Sequence, residues 1–341
     1  MAGGQERILR RRVRSVESTK KITRAMELIA ASQMVRAQSR IAGSKPYLEG
    51  IERVLQDVAA DGSAPERLIG VPESPSNVAV VAIVSDRGLC GGYNAFVLRA
   101  AERLMRTGES AGRSYKVITA GKKAIGYFRF RGRTIEQSFA MSDRPSYEDA
   151  RTIARTVVPA FMAGEVDLVQ LVSTRFVSAG SQVVKTLQLL PLVPPLEGDA
   201  KPSRSAASTS DSSEEPGETS PSDLSSAPHF GEAGGGYFEY EPDPEDLLSL
   251  LVPRYAEAAL YGAMLEASAS EHIARQRAMS AATENADELI KTLRRVMNRA
   301  RQDSITTEIM EIVSGAEALR QGAQREAAPN RKDYEVEELS A

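Results

Sequence analysis

From Glu6 to Asp61 the chain contains one proline, Pro46, and its weakly polar or apolar positions recur every three or four residues. They fall at Leu9, Val13, Val16, Thr19, Ile22, Met26, Ile29, Gln33, Ala37 and Ile41. That period is the seam of a coiled coil, here thin and short in leucine. A helix of roughly 50 residues would run about 75 Å at 1.5 Å per residue. Propensity alone does not hold such a helix in water, so it needs a partner along its length.

The far end of the chain supplies one. In RAMSAATENADELIKTLRRVMNRARQDSITTEIMEIVSGAEAL the positions Ala278, Ala282, Ala286, Leu289, Leu293, Val296 and Ala300 alternate four and three. Small seam residues allow close approach but bury little apolar area. An antiparallel pairing joins the two ends and leaves everything between them as one inserted domain. Its second helix has a marked start in YEPDPEDLL, where Asp243 suits the cap, Pro244 the first turn, and Glu245 and Asp246 the positive end of the dipole. Pro253 predicts a kink or an early break. With 5% aromatics, no tryptophan and 26% charged residues, the composition suits long solvated helices better than a thick core.

Between the helices NVAVVAIVSD reads as a buried strand, YNAFVLRAAERLMRTG as a helix, YKVITAG as a strand, KKAIGYFRFRG as a short helix and SYEDARTIARTVVPAFMAG as a longer one. VDLVQLVSTRFVS and SQVVKTLQLLPLV form a strand pair joined near Ala179 and Gly180. Alternating strands and helices predict an α/β layer with a mostly parallel sheet. Residues 197–236, rich in Ser, Pro, Gly and acids, have no apolar period and read as a disordered insertion. The expected divisions are therefore a first coiled-coil helix at 1–60, a Rossmann-like domain at 75–196, the insertion at 197–236, a second coiled-coil helix at 237–319 and a charged, disordered tail at 320–341.

SDRGLCGGYN, between the first strand and its helix, is the usual seat for a phosphate. Gly88, Gly91 and Gly92 match neither G-x-G-x-x-G nor a P-loop, and no lysine follows them. They read as a structural turn, with no cofactor expected. Cys90 excludes an internal disulfide, and His229 and His272 lack ligand spacing, so no metal is expected. No catalytic set appears elsewhere. Nothing in MAGGQERILRRRVR resembles a signal peptide, and no run approaches the roughly 20 apolar residues that span a bilayer, so a cytoplasmic or peripheral chain is expected. The net charge of −3 hides a strongly basic stretch, Arg7–Lys45, and an acidic one, Asp199–Asp246. The basic helix is open to three readings: a solvated face, a nucleic-acid surface without stacking aromatics, or a surface for an acidic protein.

KKITRAMELIAASQMVRAQ, SDRGLCGGYN, YEPDPEDLL and NRARQDSITTEIMEIVSGAEAL, in that order, resemble the gamma chain of the rotary, proton-translocating ATP synthase. The resemblance implies a non-catalytic central rotor shaft: an antiparallel coiled coil within the alpha and beta subunit ring, and a foot on the c-subunit ring beside epsilon. The shaft couples c-ring rotation to the conformation of the catalytic beta subunits. Gamma binds no nucleotide in this family, and it meets the membrane only through the complex, at the cytoplasmic face of the cell membrane. The resemblance favours an acidic protein partner over nucleic acid. By similarity Arg301, Gln302 and Thr306 match the catch on the alpha and beta subunits, and Met26, Lys20, Lys21 and Arg24 match the segment facing the beta lever. Ile309, Ile312 and Val313 match the bearing, and Tyr240 and Glu241 the contact with the c ring. The acidic insertion is longer than the usual family pattern, and with one cysteine it cannot carry the thiol switch of chloroplast relatives.

Overall fold

The computed structural model describes residues 2–60, 68, 70, 74–192 and 243–326. The chain divides into two compact units, one of Met1–Met34, Leu89–Gly91 and His272–Ala341, the other of Val35–Gly88 and Gly92–Glu271. Two long helices, α1 (Ala2–Ala60) and α5 (Pro244–Glu326), contribute to both.

In the second unit the chain runs β1 (Asn77–Ile83), α2 (Tyr93–Ser110), β2 (Ser114–Ala120), α3 (Lys122–Phe130), β3 (Ile135–Phe139), α4 (Tyr147–Met162), β4 (Leu168–Phe176) and β5 (Gln182–Leu190). The strands lie in the order β3-β2-β1-β4-β5. The first four are parallel, and β5 turns back antiparallel beside β4. β1 lies at the centre and is apolar on both faces because both are covered. Val78, Val80, Ala82 and Val84 pack with Val97, Met105 and Phe128 of α2 and α3. Ala79, Val81 and Ile83 pack on the other face with Phe161 of α4, Leu55 of α1 and Leu260 of α5. A buried carboxylate ties α4 to α5: Glu257 accepts the Tyr147 hydroxyl at 2.8 Å and lies 3.3 Å from Arg254. Burial and then this hydrogen bond push the Tyr147 phenol up to about 12, so it remains a donor at neutral pH.

The structure departs from the expected elements at three places. β3 was unexpected because only Ile135 and Phe139 are even half-buried; an edge strand with exposed Glu136, Gln137 and Ser138 has no apolar signal. α5 passes through Pro253 without a break. Leu248, Val252, Ala256 and Leu260 are fully buried around it, and their burial offsets the roughly 3 kcal/mol that an interior proline costs. α5 begins at Pro244, the first-turn position read from YEPDPEDLL, with the Leu247 amide donating to the Asp243 carbonyl, and residues 237–242 lie outside the described residues. It also continues to Glu326, so residues 320–326 of the expected tail are helical. The insertion and the rest of the tail lie outside the described residues.

Phe161 is 1% exposed and Phe130 87%. Phe161→Ala is expected to destabilise the sheet unit by about 3–5 kcal/mol. Phe130→Ala should stay within about 0.5 kcal/mol, both read from denaturant midpoints.

Candidate functional site

Burial along α1 follows a stricter period than the sequence suggested. One line of buried and half-buried positions runs through Leu9, Val13, Val16, Lys20, Thr23, Glu27, Ala30, Met34 and Ala37, and then Ile41, Ser44, Leu48, Ile51, Leu55 and Val58, with Met26, Ala31, Gln33 and Gln38 beside it also half-buried. The steps alternate four and three without a slip, a heptad repeat on one helix. The expected stripe stepped three residues twice after Val16 and so left the register. Thr19, Ile22 and Ile29 are exposed, Ile22 at 58% and Ile29 at 61%, while the polar Lys20 and Thr23 occupy the seam.

The partner stripe on α5 shifts in the same way. Met279, Thr283, Ala286, Ile290, Leu293, Met297, Ala300 and Ser304 are the sheltered positions. Ala286, Leu293 and Ala300 lie where expected, but Leu289 and Val296 are exposed, and Ala278 and Ala282 are only half-buried. Apolar contact is local, with Val13, Ile290 and Leu293 flanked by Leu9 and Val16. Next to it the seam is polar. Lys20 Nζ donates to Asp287 Oδ1 at 2.5 Å, the Thr23 and Thr283 hydroxyls lie 2.8 Å apart, and Arg294 donates to Glu17 at 2.6 Å. As numbers rise along α1 from Glu17 to Thr23, those on α5 fall from Arg294 to Thr283, so the helices are antiparallel. These pairs escaped the sequence reading because a period built on apolar and weakly polar positions passes over Lys and Asp, and it chose Thr19 and Ile22 over Lys20 and Thr23.

Extending that register brings the first turn of α1 opposite Ala300 to Ser304, where shelter on α5 ends. Every described side chain from Ile305 onward is exposed. Ile305, Ile309, Ile312 and Leu319 form a helical stripe, at 46%, 54%, 71% and 78% exposure, with Val313 beside it at 57%. Arg301, Gln302 and Thr306 are exposed on the same stretch, and the Thr306 hydroxyl donates to the Gln302 carbonyl. On α1, Lys21 and Arg24 are exposed and Met26 half-buried; Arg24 is paired to Glu27 at 2.7 Å, while Lys20 is engaged across the seam. Tyr240 and Glu241 lie outside the described residues.

The glycine loop is built as a turn. Gly91 has φ +58, the left-handed region that favours glycine, and a Cβ there would sit 3.8 Å from that of Ala278. Gly92 has an ordinary φ of −83 and opens α2; a Cβ on it would meet the Phe96 ring at 2.7 Å. Gly88 has ordinary space, with the Lys123 side chain 3.7 Å from a built Cβ. Ser85 donates both its amide and its hydroxyl to Asn94 Oδ1, at 2.9 Å each. The Asp86 carboxylate accepts the amides of Lys122, at the start of α3, and of Met141. That carboxylate sits at the N-terminus of α3, the positive end of its dipole, and not at the start of α2 that the loop opens. Cys90 is buried at 1% exposure and His272 at 3%. Among the described residues no three metal-ligating side chains cluster, and no helix is long and apolar enough to cross a membrane.

Residues 5–319 match the sequence profile of the family described as ATP synthase. The chain is 43% identical to the ATP synthase gamma chain of Frankia casuarinae over 94% of its own length and 99% of that protein. It is 40% identical to that of Mycolicibacterium smegmatis over 92% and 97%. Among solved structures, a chain of the Euglena gracilis mitochondrial ATP synthase superposes with a TM-score of 0.62 at 17% identity, covering 97% of this chain and 98% of that one. A central-stalk chain from Tetrahymena thermophila superposes at 0.52 and 22% identity, over 76% and 99%. At those identities the structures show the shared fold.

The Lys20–Asp287 pair is 38% and 43% exposed. A double-mutant cycle of Lys20→Ala and Asp287→Ala is expected to give a coupling of about 0.2–1 kcal/mol in thermal unfolding, diminishing as salt rises.

Proposed function

The chain belongs to the ATP synthase gamma-chain family, and we propose that it works as the central rotor shaft of that complex, carrying c-ring rotation to the catalytic beta subunits for ATP synthesis, and for hydrolysis in reverse. The observation that carries this reading is the end of α5, which outruns α1 and bears an apolar stripe that no described residue of the chain covers. A contiguous exposed apolar surface marks an interface. A sleeve of apolar side chains around Ile309, Ile312 and Val313 provides a bearing, because non-directional contact has no strong polar bond to break at each step of rotation.

Two further surfaces fit the same role. Arg301, Gln302 and Thr306, exposed just before the bearing, act as the catch on the alpha and beta subunits. Met26, Lys21 and Arg24 face the acidic lever of a beta subunit, and Lys20 sets their orientation through its seam bond to Asp287. Tyr240 and Glu241 belong to the foot that meets the c ring, beside epsilon. The shaft is asymmetric, so each beta subunit meets a different face of it and is held in a different conformation; rotation passes those states around the ring. Nucleotide chemistry then belongs to the ring, and the chain is a mechanical, non-catalytic subunit. It sits peripherally, at the cytoplasmic face of the cell membrane.

Mixing the purified chain with alpha and beta subunits of the same source should give a complex of three alpha, three beta and one gamma by native mass, with ATPase turnover that depends on this chain. Arg301→Ala/Gln302→Ala should lower turnover about three- to ten-fold, the scale of one or two lost hydrogen bonds. Absence of any complex, with ATP turnover or DNA binding by the chain alone, would overturn the assignment.

A further inference from the structure

Within the sheet unit α5 packs through small side chains. Ala256, Ala259 and Ala267 belong to the core beneath the sheet, and Ala263 lies against it. Packed helices resist sliding because ridges of side chains seat in grooves, and alanine raises low ridges. Apolar contact along this stretch therefore opposes separation of α5 from the sheet more than rotation of α5 in its seat. Contacts with direction lie in the same stretch. Glu257 accepts the Tyr147 hydroxyl at 2.8 Å and lies 3.6 Å from Arg151, both on α4. Glu266 accepts the amide of Phe176, the last residue of β4, at 3.2 Å. The Tyr93 hydroxyl of α2 donates to the Ala267 carbonyl at 3.1 Å, and the Ser268 hydroxyl to the Asp143 carbonyl at 3.0 Å. Glu257 is 7% exposed and Ser268 1%. A buried, paired carboxylate adds little net stability over an apolar residue of its size, so what Glu257 contributes is direction.

The three side chains are placed around α5 so that they act together. At about 100° per residue, Ser268 lies about 20° from Glu257 around the helix axis and Glu266 about 180° from it. The helix is thus held on two opposite faces. A side-chain tip sits roughly 6 Å from the axis, so a rotation of about 10° carries it about 1 Å, enough to take a hydrogen bond out of range. Opposite faces move in opposite directions under such a rotation. A sideways shift of the helix that restores the bond at Glu257 therefore worsens the one at Glu266. We infer that Glu257, Glu266 and Ser268 form a keyed joint that stops α5 turning in its seat and passes torque between the sheet unit and this helix, which continues unbroken to Glu326. The inference rests on the rotor reading and deepens it, naming the residues through which torque enters α5. It is the polar counterpart of the bearing, where contacts without direction let the shaft turn.

The test uses the complex of three alpha, three beta and one gamma, fixed to a surface by its ring. A bead is linked to the sheet unit through Ser110→Cys and Arg129→Cys, both exposed positions, while Cys90, 1% exposed, is shielded. While the complex waits for ATP, the variance of the bead angle reports the torsional stiffness between bead and ring. Tyr93→Phe/Tyr147→Phe/Ser268→Ala deletes three hydroxyl oxygens and leaves the carbon packing in place. The variance is expected to rise by up to about two-fold, as three of the five directional contacts to α5 are lost. Tyr147→Phe/Ser268→Ala should give a smaller rise, and it takes over the test if circular dichroism shows the triple variant unfolded. Val252→Ala, at a fully buried apolar position of α5, should lower the thermal midpoint at least as much and leave the variance unchanged. An unchanged variance in the hydroxyl variants overturns the joint while the rotor reading stands, as does an equal rise in Val252→Ala. Failure of the unmodified chain to rotate the bead overturns the rotor reading, and the joint with it.

Discussion

The unbroken heptad register of α1 is the constraint on which the coil depends. Four-three steps from Leu9 to Val58 keep one line of the helix sheltered, and Ile22, Leu28, Ile29 and Val35 lie off it and exposed. Because the line is made of Val, Ala, Thr and Lys more than of Leu, the coil gains less from burial than a leucine zipper would. Bonds with direction compensate at Lys20–Asp287, Thr23–Thr283 and Glu17–Arg294. Directional pairs specify register better than apolar contact does, because a slipped alignment leaves polar groups unmatched. Ile22, Leu28, Ile29 and Val35 are thereby turned outward, where the proposed partners would meet them.

The sheet unit rests on a different balance. Its central strand is buried on both faces, between α2 and α3 on one side and α1, α4 and α5 on the other. Such a body deforms little, since close-packed cores transmit strain rather than absorb it. A shaft that carries torque needs that property at its driven end, and low-barrier apolar contact at its turning end. The exposed stripe of Ile309 and Ile312 has the chemistry for the second. The glycine loop belongs with the rigid parts. Gly91 supplies a left-handed turn and Gly92 makes room for Phe96, while Asp86 holds the start of α3.

By itself the sequence determined the elements whose signal is local. The absence of early prolines, the alanine-rich helical period, the apolar run of β1 and the Asp243–Pro244 start mark α1, β1 and α5, because propensity and capping act within a few residues. The family motifs identified the chain. The candidate site was legible only through those motifs, as no titratable cluster or ligand spacing singles out Arg301 or Ile309. Tertiary structure decided what depends on partners distant in sequence. It moved the seam by one position after Val16, since a facing helix selects strict register over the most apolar local choice. It carried α5 through Pro253, since burial on the sheet outweighs one missing hydrogen bond. It added β3, whose edge position needs no apolar face, and it left the end of α5 uncovered, because the antiparallel register runs out of α1 near Ser304.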